Sequence, residues 1–309
     1  MTLRIGLMFA GQGAQQPGMG QDLHTDFACV RALFSEADGI LGRSLSNLCF
    51  NCRMEDLTAC ANCQPAIFTV SLACYHALQE VYPFTAVASA GLSLGEYAAL
   101  QVAGVYDFAS TLKLVSERGR LMDLACQQQA GGMAAILGAE QSLLDEICQR
   151  HGLEIANYNS PGQVIISGES QVLDKAVQEL TAAGLKAIRL QVAGAFHSRL
   201  MSSAMDDFAE LLRNYPAAVP KFLFAQNFSG TLVSNPEELR RNLLYQISGS
   251  VRWESCFRLL SQHCDVLIEL GPGTVLTGLA RRMERTKPVF SVNSSESLAR
   301  TLAGLKALS

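Results

Sequence analysis

Apolar positions along this chain alternate between short continuous runs and longer stretches spaced by three and four residues. Residues 5–10 (Ile-Gly-Leu-Met-Phe-Ala) form a continuous run that ends at Gly11-Gln12-Gly13. That is the pattern of a buried strand opening into a glycine-rich turn. A helical stretch follows over about 26–41. Residues 66–81 carry Ile67, Val70, Cys74 and Leu78 at helical spacing and stop before Pro83, which disfavours helix in the residue ahead of it. Small and β-branched residues at 85–90 run into Gly91-Leu92-Ser93-Leu94-Gly95. Helices are expected over 96–104 and from Asp107 to about Cys126.

From Gly131 the pattern changes. A short apolar run at 133–137 precedes an amphipathic stretch at 140–151, with Leu143, Leu144, Ile147 and Cys148 on one side. Strands are expected at 153–157 and 163–167, a helix at 171–183 closed by Gly184, and a strand at 186–192. The order strand, helix, strand, strand, helix, strand is the ferredoxin-like unit. The expected division is therefore a large domain over 1–127, an inserted small subdomain over 128–196, and the rest of the large domain over 197–309. The returning part predicts helices near 198–214, 237–247, 253–263 and 274–284, and strands at 221–225, 265–270 and 289–292. Strands alternating with helices imply an α/β fold with a mostly parallel sheet covered on both faces.

Composition narrows the function classes. The chain has 309 residues, 49% hydrophobic and 17% charged, which excludes a disordered chain and is enough for about two domains. The net charge of −4 gives no basic excess to hold nucleic acid or an anionic membrane. The apolar run at 5–10 is too short for a signal-peptide core, and no later run is long enough to span a membrane, so a cytoplasmic location is expected. Ten cysteines fit that compartment as free thiols. Cys49, Cys52, Cys60 and Cys63 form two C-x-x-C pairs, a spacing that can hold tetrahedral zinc. A helix expected directly after Cys63 leaves little room to fold back, so no metal is expected there.

The segment 91–95 fits G-x-S-x-G, in which a strand turns sharply into a helix and exposes the serine above an α/β-hydrolase-like sheet. Ser93 Oγ would stand at a helix N-terminus, where negative charge is favoured. The backbone N–H of Leu94 is the natural first oxyanion donor. A serine nucleophile needs a base. Of His24, His76, His151, His197 and His263, only His197 lies directly at the junction of the two domains, in Gly194-Ala195-Phe196-His197-Ser198, and it is favoured over His263. No convincing triad acid follows: Asp174 and Glu179 sit on a small-domain helix, and Asp206 and Asp207 on the helix after His197. A Ser–His dyad whose imidazole is held by a backbone carbonyl meets the same need.

One arginine stands on the wrong face. Arg118 shares a stripe with Leu114, Val115, Leu121 and Met122 at three- and four-residue spacings. A guanidinium on an apolar stripe needs an anion. Glu96 or Glu269 would supply one internally, and a substrate carboxylate would match its two-pronged geometry. Periodicity does not choose between these.

The motifs together resemble a known family, the malonyl-CoA:acyl carrier protein transacylases of type II fatty acid synthesis, whose fold also serves in polyketide synthases. The matching pieces run from Phe9-Ala-Gly-Gln-Gly-Ala-Gln15 through Gln64-Pro-Ala-Ile-Phe-Thr-Val70, Gly91-Leu-Ser-Leu-Gly-Glu-Tyr97 and Arg118-Gly119. They continue with Asn157-x-Asn-Ser-Pro-Gly-Gln163, Ile166-Ser-Gly168, Gly194-Ala-Phe-His197, Val251-Arg-Trp253 and Glu269-Leu-Gly-Pro-Gly273, nearly the whole chain. The resemblance implies that Ser93 takes a malonyl group from coenzyme A and gives it to the phosphopantetheine thiol of acyl carrier protein, with His197 as base and no cofactor. It implies an oxyanion hole of the Gln12 and Leu94 N–H groups, Arg118 on the malonyl carboxylate, and Met122 and Phe196 lining the acyl pocket. It also implies that His197 is oriented by a backbone carbonyl around 250–252.

Leu92 departs from the family's usual Gly-His-Ser elbow, which bears on pocket polarity. Lys186, Arg189, Arg199, Arg281 and Arg282 are candidates for meeting an acidic carrier. No exposed apolar stripe argues for more than a monomer. A trans-acting acyltransferase or an editing acyl hydrolase of a polyketide pathway is the alternative, and the hydrolase would not need Arg118.

Overall fold

The computed structural model describes residues 3–308. Six strands form the large sheet: β1 (Ile5–Phe9), β2 (Ala86–Gly91), β7 (Leu223–Gln226), β8 (Thr231–Leu232), β9 (Val266–Leu270) and β10 (Val289–Val292). Four form the small one: β3 (Gly131–Leu137), β4 (Glu154–Ser160), β5 (Gln163–Glu169) and β6 (Lys186–Arg189). The large sheet runs β10-β9-β1-β2-β7-β8, parallel except for the β7–β8 pair. β1 lies inside it with every residue buried, which is why its sequence is continuously apolar rather than alternating. The small sheet is antiparallel with order β4-β5-β3-β6, and helices Gln141–His151 and Ser170–Ala182 complete the expected ferredoxin-like unit. The small sheet is tied by main chain to the segment ahead of the helix Trp253–His263: Tyr158 N–H donates to Val251 O at 2.9 Å and Val251 N–H to Ala156 O at 2.8 Å.

Several elements differ from their expected spans. The helix expected over 66–81 begins six residues earlier, at Cys60, and runs to Val81. Its cap is tertiary, because the Asp123 carboxylate accepts from the N–H groups of Cys60 and Ala61 at 2.9 and 2.8 Å. Pro65 inside this helix cannot donate to Ala61 O, and Arg43 Nη2 supplies that bond at 2.6 Å. Helices Gln21–Asp26, Leu45–Asn51, Met54–Thr58 and Ser295–Leu308 were not expected. The strand expected over 186–192 stops at Arg189, and the chain runs irregularly to His197. The helix expected over 198–214 is a 3-10 turn, Arg199–Met201, followed by a helix, Ser202–Leu212.

The four cysteines of the paired motif lie in or beside helices, and all are free thiols. Among the described residues no group of three or more His, Cys, Asp or Glu side chains is placed to hold a metal. No helix there is long and apolar enough to cross a membrane. Of the five basic docking candidates, Arg189 is paired with Asp174 and Arg199 with Glu154, while Arg282 donates to Gln163; Lys186 and Arg281 are exposed.

The loops after β1, β2 and β7 meet above the carboxyl ends of the parallel strands, where α/β sheets bind their ligands.

Candidate active site

Ser93 sits between β2 and the helix Gly95–Val102 with φ +51, in the left-handed region that a non-glycine residue seldom adopts. The flanking glycines are steric necessities. A Cβ on Gly91 would lie 1.9 Å from Gly95 C, and one on Gly95 would lie 2.1 Å from Phe9 O. Gly95→Ala is therefore expected to cost at least about 4 kcal/mol, a large part of the stability of a typical domain. Urea titration of the purified variant checks this, and a midpoint equal to that of the parent protein contradicts it.

His197 is buried at 4% exposure and also has a positive φ, +57. Its Nε2 lies 2.8 Å from Ser93 Oγ. Its Nδ1 lies 2.7 Å from Gln246 O, so the N–H falls on Nδ1 and the lone pair on Nε2 faces the hydroxyl. This corrects the expected orienting carbonyl around 250–252. Val251 O is taken by Tyr158 N–H, whereas Gln246 ends the helix Pro236–Gln246, where the last carbonyls lack partners within the helix. Burial, with the nearby Arg118 charge second, pushes the imidazole down to about 4. The neutral ring is thus the form at ordinary pH, as a proton acceptor must be.

The acids considered for a triad lie elsewhere. Asp174 pairs with Arg189 and Glu179 with His151, while Asp206 and Asp207 are exposed. His263 ends the helix Trp253–His263 and does not line the cavity at Ser93.

Arg118 is 1% exposed and forms no ion pair within 4.0 Å among the described residues. Its Nη1 donates to Gln64 Oε1 at 2.8 Å, and its Nη2 to Gln246 Oε1 at 3.1 Å and Ser93 Oγ at 3.2 Å. The guanidinium also lies over the Tyr97 ring, 5.5 Å from its centre. Neither internal carboxylate neutralises it in contact. Glu269 accepts the N–H groups of Leu276 and Thr277 at 2.9 and 2.7 Å, capping the next helix. Glu96 reaches it only through Gln246.

A cavity of about 270 Å³ opens over Ser93. Gln12, Leu92, Met122, Phe196 and His197 line it, with Asn157 and Asn159 from β4 and Leu190 and Val192 from the irregular segment after β6. The backbone N–H groups of Gln12 and Leu94 donate to no protein acceptor among the described residues. The Gln12 side chain is held by Cys60 and Gln64, and the Gln64 amide donates to Met122 Sδ at 3.4 Å. Of the seven expected site residues, Ser93, Gln12, Met122, Phe196 and His197 line this cavity, Arg118 reaches Ser93 Oγ by a hydrogen bond, and Leu94 follows Ser93 in the elbow. A hydroxyl 2.8 Å from a neutral imidazole can attack an acyl carbon, and a guanidinium beside it with no ion pair among the described residues can hold a carboxylate.

Sequence reading missed the residues that hold this arrangement. Asn227 follows β7, accepts Ser93 N–H on Oδ1 at 2.6 Å and donates from Nδ2 to Gly91 O at 2.8 Å. Gln246 contributes both a carbonyl to His197 and an amide oxygen to Arg118. Neither residue carries a local motif.

The sequence pattern of the acyl transferase domain family matches residues 7–294. The malonyl CoA-acyl carrier protein transacylase of Bacillus subtilis (strain 168) is 34% identical over 310 residues, covering 98% of each chain. The crystal structure of malonyl CoA-acyl carrier protein transacylase from Clostridium perfringens superposes with a TM-score of 0.94 at 32% identity, covering 99% of this chain and 98% of that one. A malonyl-transacylase solved in complex with a type II PKS acyl-carrier protein superposes at 0.93 with 35% identity, covering 97% and 99%. This chain belongs to the acyl transferase domain family, alongside the malonyl CoA-acyl carrier protein transacylases.

Proposed function

We propose that this acyltransferase moves the malonyl group from malonyl-CoA to the phosphopantetheine thiol of an acyl carrier protein, by way of a malonyl ester on Ser93, and so supplies fatty acid synthesis. The observation that carries the reading is Arg118, a buried guanidinium 3.2 Å from Ser93 Oγ with no carboxylate in contact among the described residues. The free carboxylate of a malonyl ester lies two carbon–carbon bonds from the carbonyl carbon, within reach of a cation so placed. A hydrolase of neutral acyl groups has no use for that charge.

In the first half-reaction His197 Nε2 takes the Ser93 proton as Oγ bonds to the thioester carbon. The Gln12 and Leu94 N–H groups receive the oxyanion. Collapse breaks the C–S bond, and His197 returns the proton to the departing coenzyme A sulfur. In the second half the carrier thiol gives its proton to His197 and attacks the ester, and Ser93 leaves with that proton restored. Met122 and Phe196 wall the acyl pocket, and Arg118 anchors the far end of the acyl group. No step calls for a cofactor.

Two substrates that share one serine in turn require ping-pong kinetics. Initial rates over a grid of malonyl-CoA and holo carrier concentrations are expected to give parallel double-reciprocal lines. Intersecting lines would exclude the malonyl-Ser93 intermediate.

The low imidazole value sets the pH behaviour. The acid limb of kcat/KM for acylation is expected near pH 4 rather than near 6.5, because the free enzyme keeps His197 neutral down to about 4. Bound malonyl screens Arg118, so the limb of kcat lies higher than that of kcat/KM. Folded-state depression also means that the unfolded chain binds more protons between pH 6.5 and 4. This contribution to stability is therefore complete above that window and is lost as pH falls through it. Acylation rates from pH 3.5 to 8 check the profile, and an acid limb of kcat/KM at 6.5 contradicts it.

A further inference from the structure

Glu96 stands in the first turn of the helix Gly95–Val102, fully buried and in no ion pair among the described residues. Burial pushes its carboxyl up to about 7, a cost that contact with a cation does not offset. What it does touch explains its place. Its Oε2 accepts the Gln246 side-chain amide at 2.9 Å and the Asn227 backbone N–H at 2.9 Å.

Each donor carries a second group to the site. Gln246 offers its main-chain oxygen to His197 Nδ1 and its Oε1 to Arg118 Nη2. Asn227 holds both sides of the elbow, taking Ser93 N–H and donating to Gly91 O. One oxygen is therefore a single residue away from the nucleophile, the base and the cation.

The bonding has a direction. Arg118 can only donate, so Gln246 must present Oε1 to it and turn Nε2 the other way. Nε2 then meets Glu96 Oε2, with Ser93 O at 3.0 Å and Asn227 Oδ1 at 3.4 Å as its other acceptors. Without Glu96 Oε2 the amide nitrogen keeps only Ser93 O as a close acceptor and the Asn227 N–H loses its own, so the groups that fix the elbow, the base and the cation are held less firmly.

We propose that Glu96 is the positioning residue of this site: its Oε2, as the shared acceptor of Gln246 and Asn227, holds Ser93, His197 and Arg118 in register. This rests on the reading above that those three residues carry the transfer. Either protonation state leaves Oε2 able to accept, so the role belongs to the oxygen and not to the charge.

The test uses a fluorophosphonate probe on the full chain. Ser93 Oγ bonds to phosphorus, fluoride leaves and the serine proton passes to His197, so the rate reports the activated hydroxyl whatever the natural acyl donor is. Glu96→Leu is expected to slow labelling about 10²-fold while melting cooperatively, the scale of a misplaced reacting group. Glu96→Gln, which keeps a carbonyl oxygen at that point, is expected to label within about threefold of the parent protein. Parent-like labelling of Glu96→Leu, or Glu96→Gln as slow as Glu96→Leu, overturns the proposal.

If Glu96→Leu does not fold, Glu96→Asp decides. It keeps a buried carboxyl but withdraws the oxygen, so slowed labelling supports the proposal and an unchanged rate overturns it. A parent protein that labels with the probe but takes no malonyl group from malonyl-CoA would refute the proposed function while leaving Glu96 its role.

Discussion

Ser93→Ala forms no acyl-enzyme and loses transfer by at least about 10⁴-fold, the scale seen when a serine nucleophile is removed from a Ser–His site. The loss is chemical rather than structural. Alanine carries the same Cβ into the left-handed backbone at φ +51, and the elbow stays held by Asn227 on Ser93 N–H and Gly91 O, bonds to main chain that the substitution leaves in place. His197→Ala is expected to fall to a similar level, because the hydroxyl 2.8 Å away then has no group to take its proton. The two act as a unit, so the double variant should be no slower than either single one. Rates of carrier acylation for the three variants, with thermal melts alongside, check this. A double variant slower by the product of the single losses would mean that Ser93 and His197 work independently.

Arg118→Leu is expected to cut malonyl transfer by about 10²–10³-fold, the scale of leaving a buried charge without its partner, while transfer of a neutral acyl group is little changed. The reason is that, among the described residues, the guanidinium hydrogen bonds to neutral oxygens, those of Gln64, Gln246 and Ser93. An incoming carboxylate without it would be buried and unpaired. Stability should change little, because relief of the desolvated charge offsets the hydrogen bonds lost. The measurement is kcat/KM for malonyl-CoA and acetyl-CoA on both proteins. Equal losses with the two donors would assign Arg118 to the scaffold of Ser93 rather than to recognition of the acyl end.

How much of this was legible in the chain follows the range of the interactions. The Ser93 elbow was legible because its cause is local: two glycines whose missing side chains admit Gly95 C and Phe9 O, between a strand and a helix. Arg118 was legible as an anomaly of helical spacing, although periodicity alone could not name its partner. His197 was legible from its place at the domain junction. The early start of the helix at Cys60 was not, because its cap is Asp123, more than sixty residues away. The carbonyl that orients His197 was placed some residues late, near Val251. Which main-chain oxygen is left unpaired depends on where the helix Pro236–Gln246 stops and on β4 claiming Val251 O. Asn227 and Gln246 left no trace, and Glu96 stood out only as a possible partner for Arg118, since one amide or carboxyl looks like any other until tertiary structure gives it two partners.

Five charged residues suggested by sequence for meeting an acidic carrier show the same limit. Arg189 and Arg199 are already engaged with acids of the small subdomain, Asp174 and Glu154, and the exposure that would make them docking groups is shared with many surface ions.

The most direct test of the central claim is intact mass of the protein over time with malonyl-CoA and no carrier, with acetyl-CoA in parallel. The account predicts a lasting malonyl adduct mapped to Ser93, cleared on adding holo carrier protein, and little adduct from acetyl-CoA. An adduct that turns over at once to free malonate, or one formed equally from both donors, would contradict it.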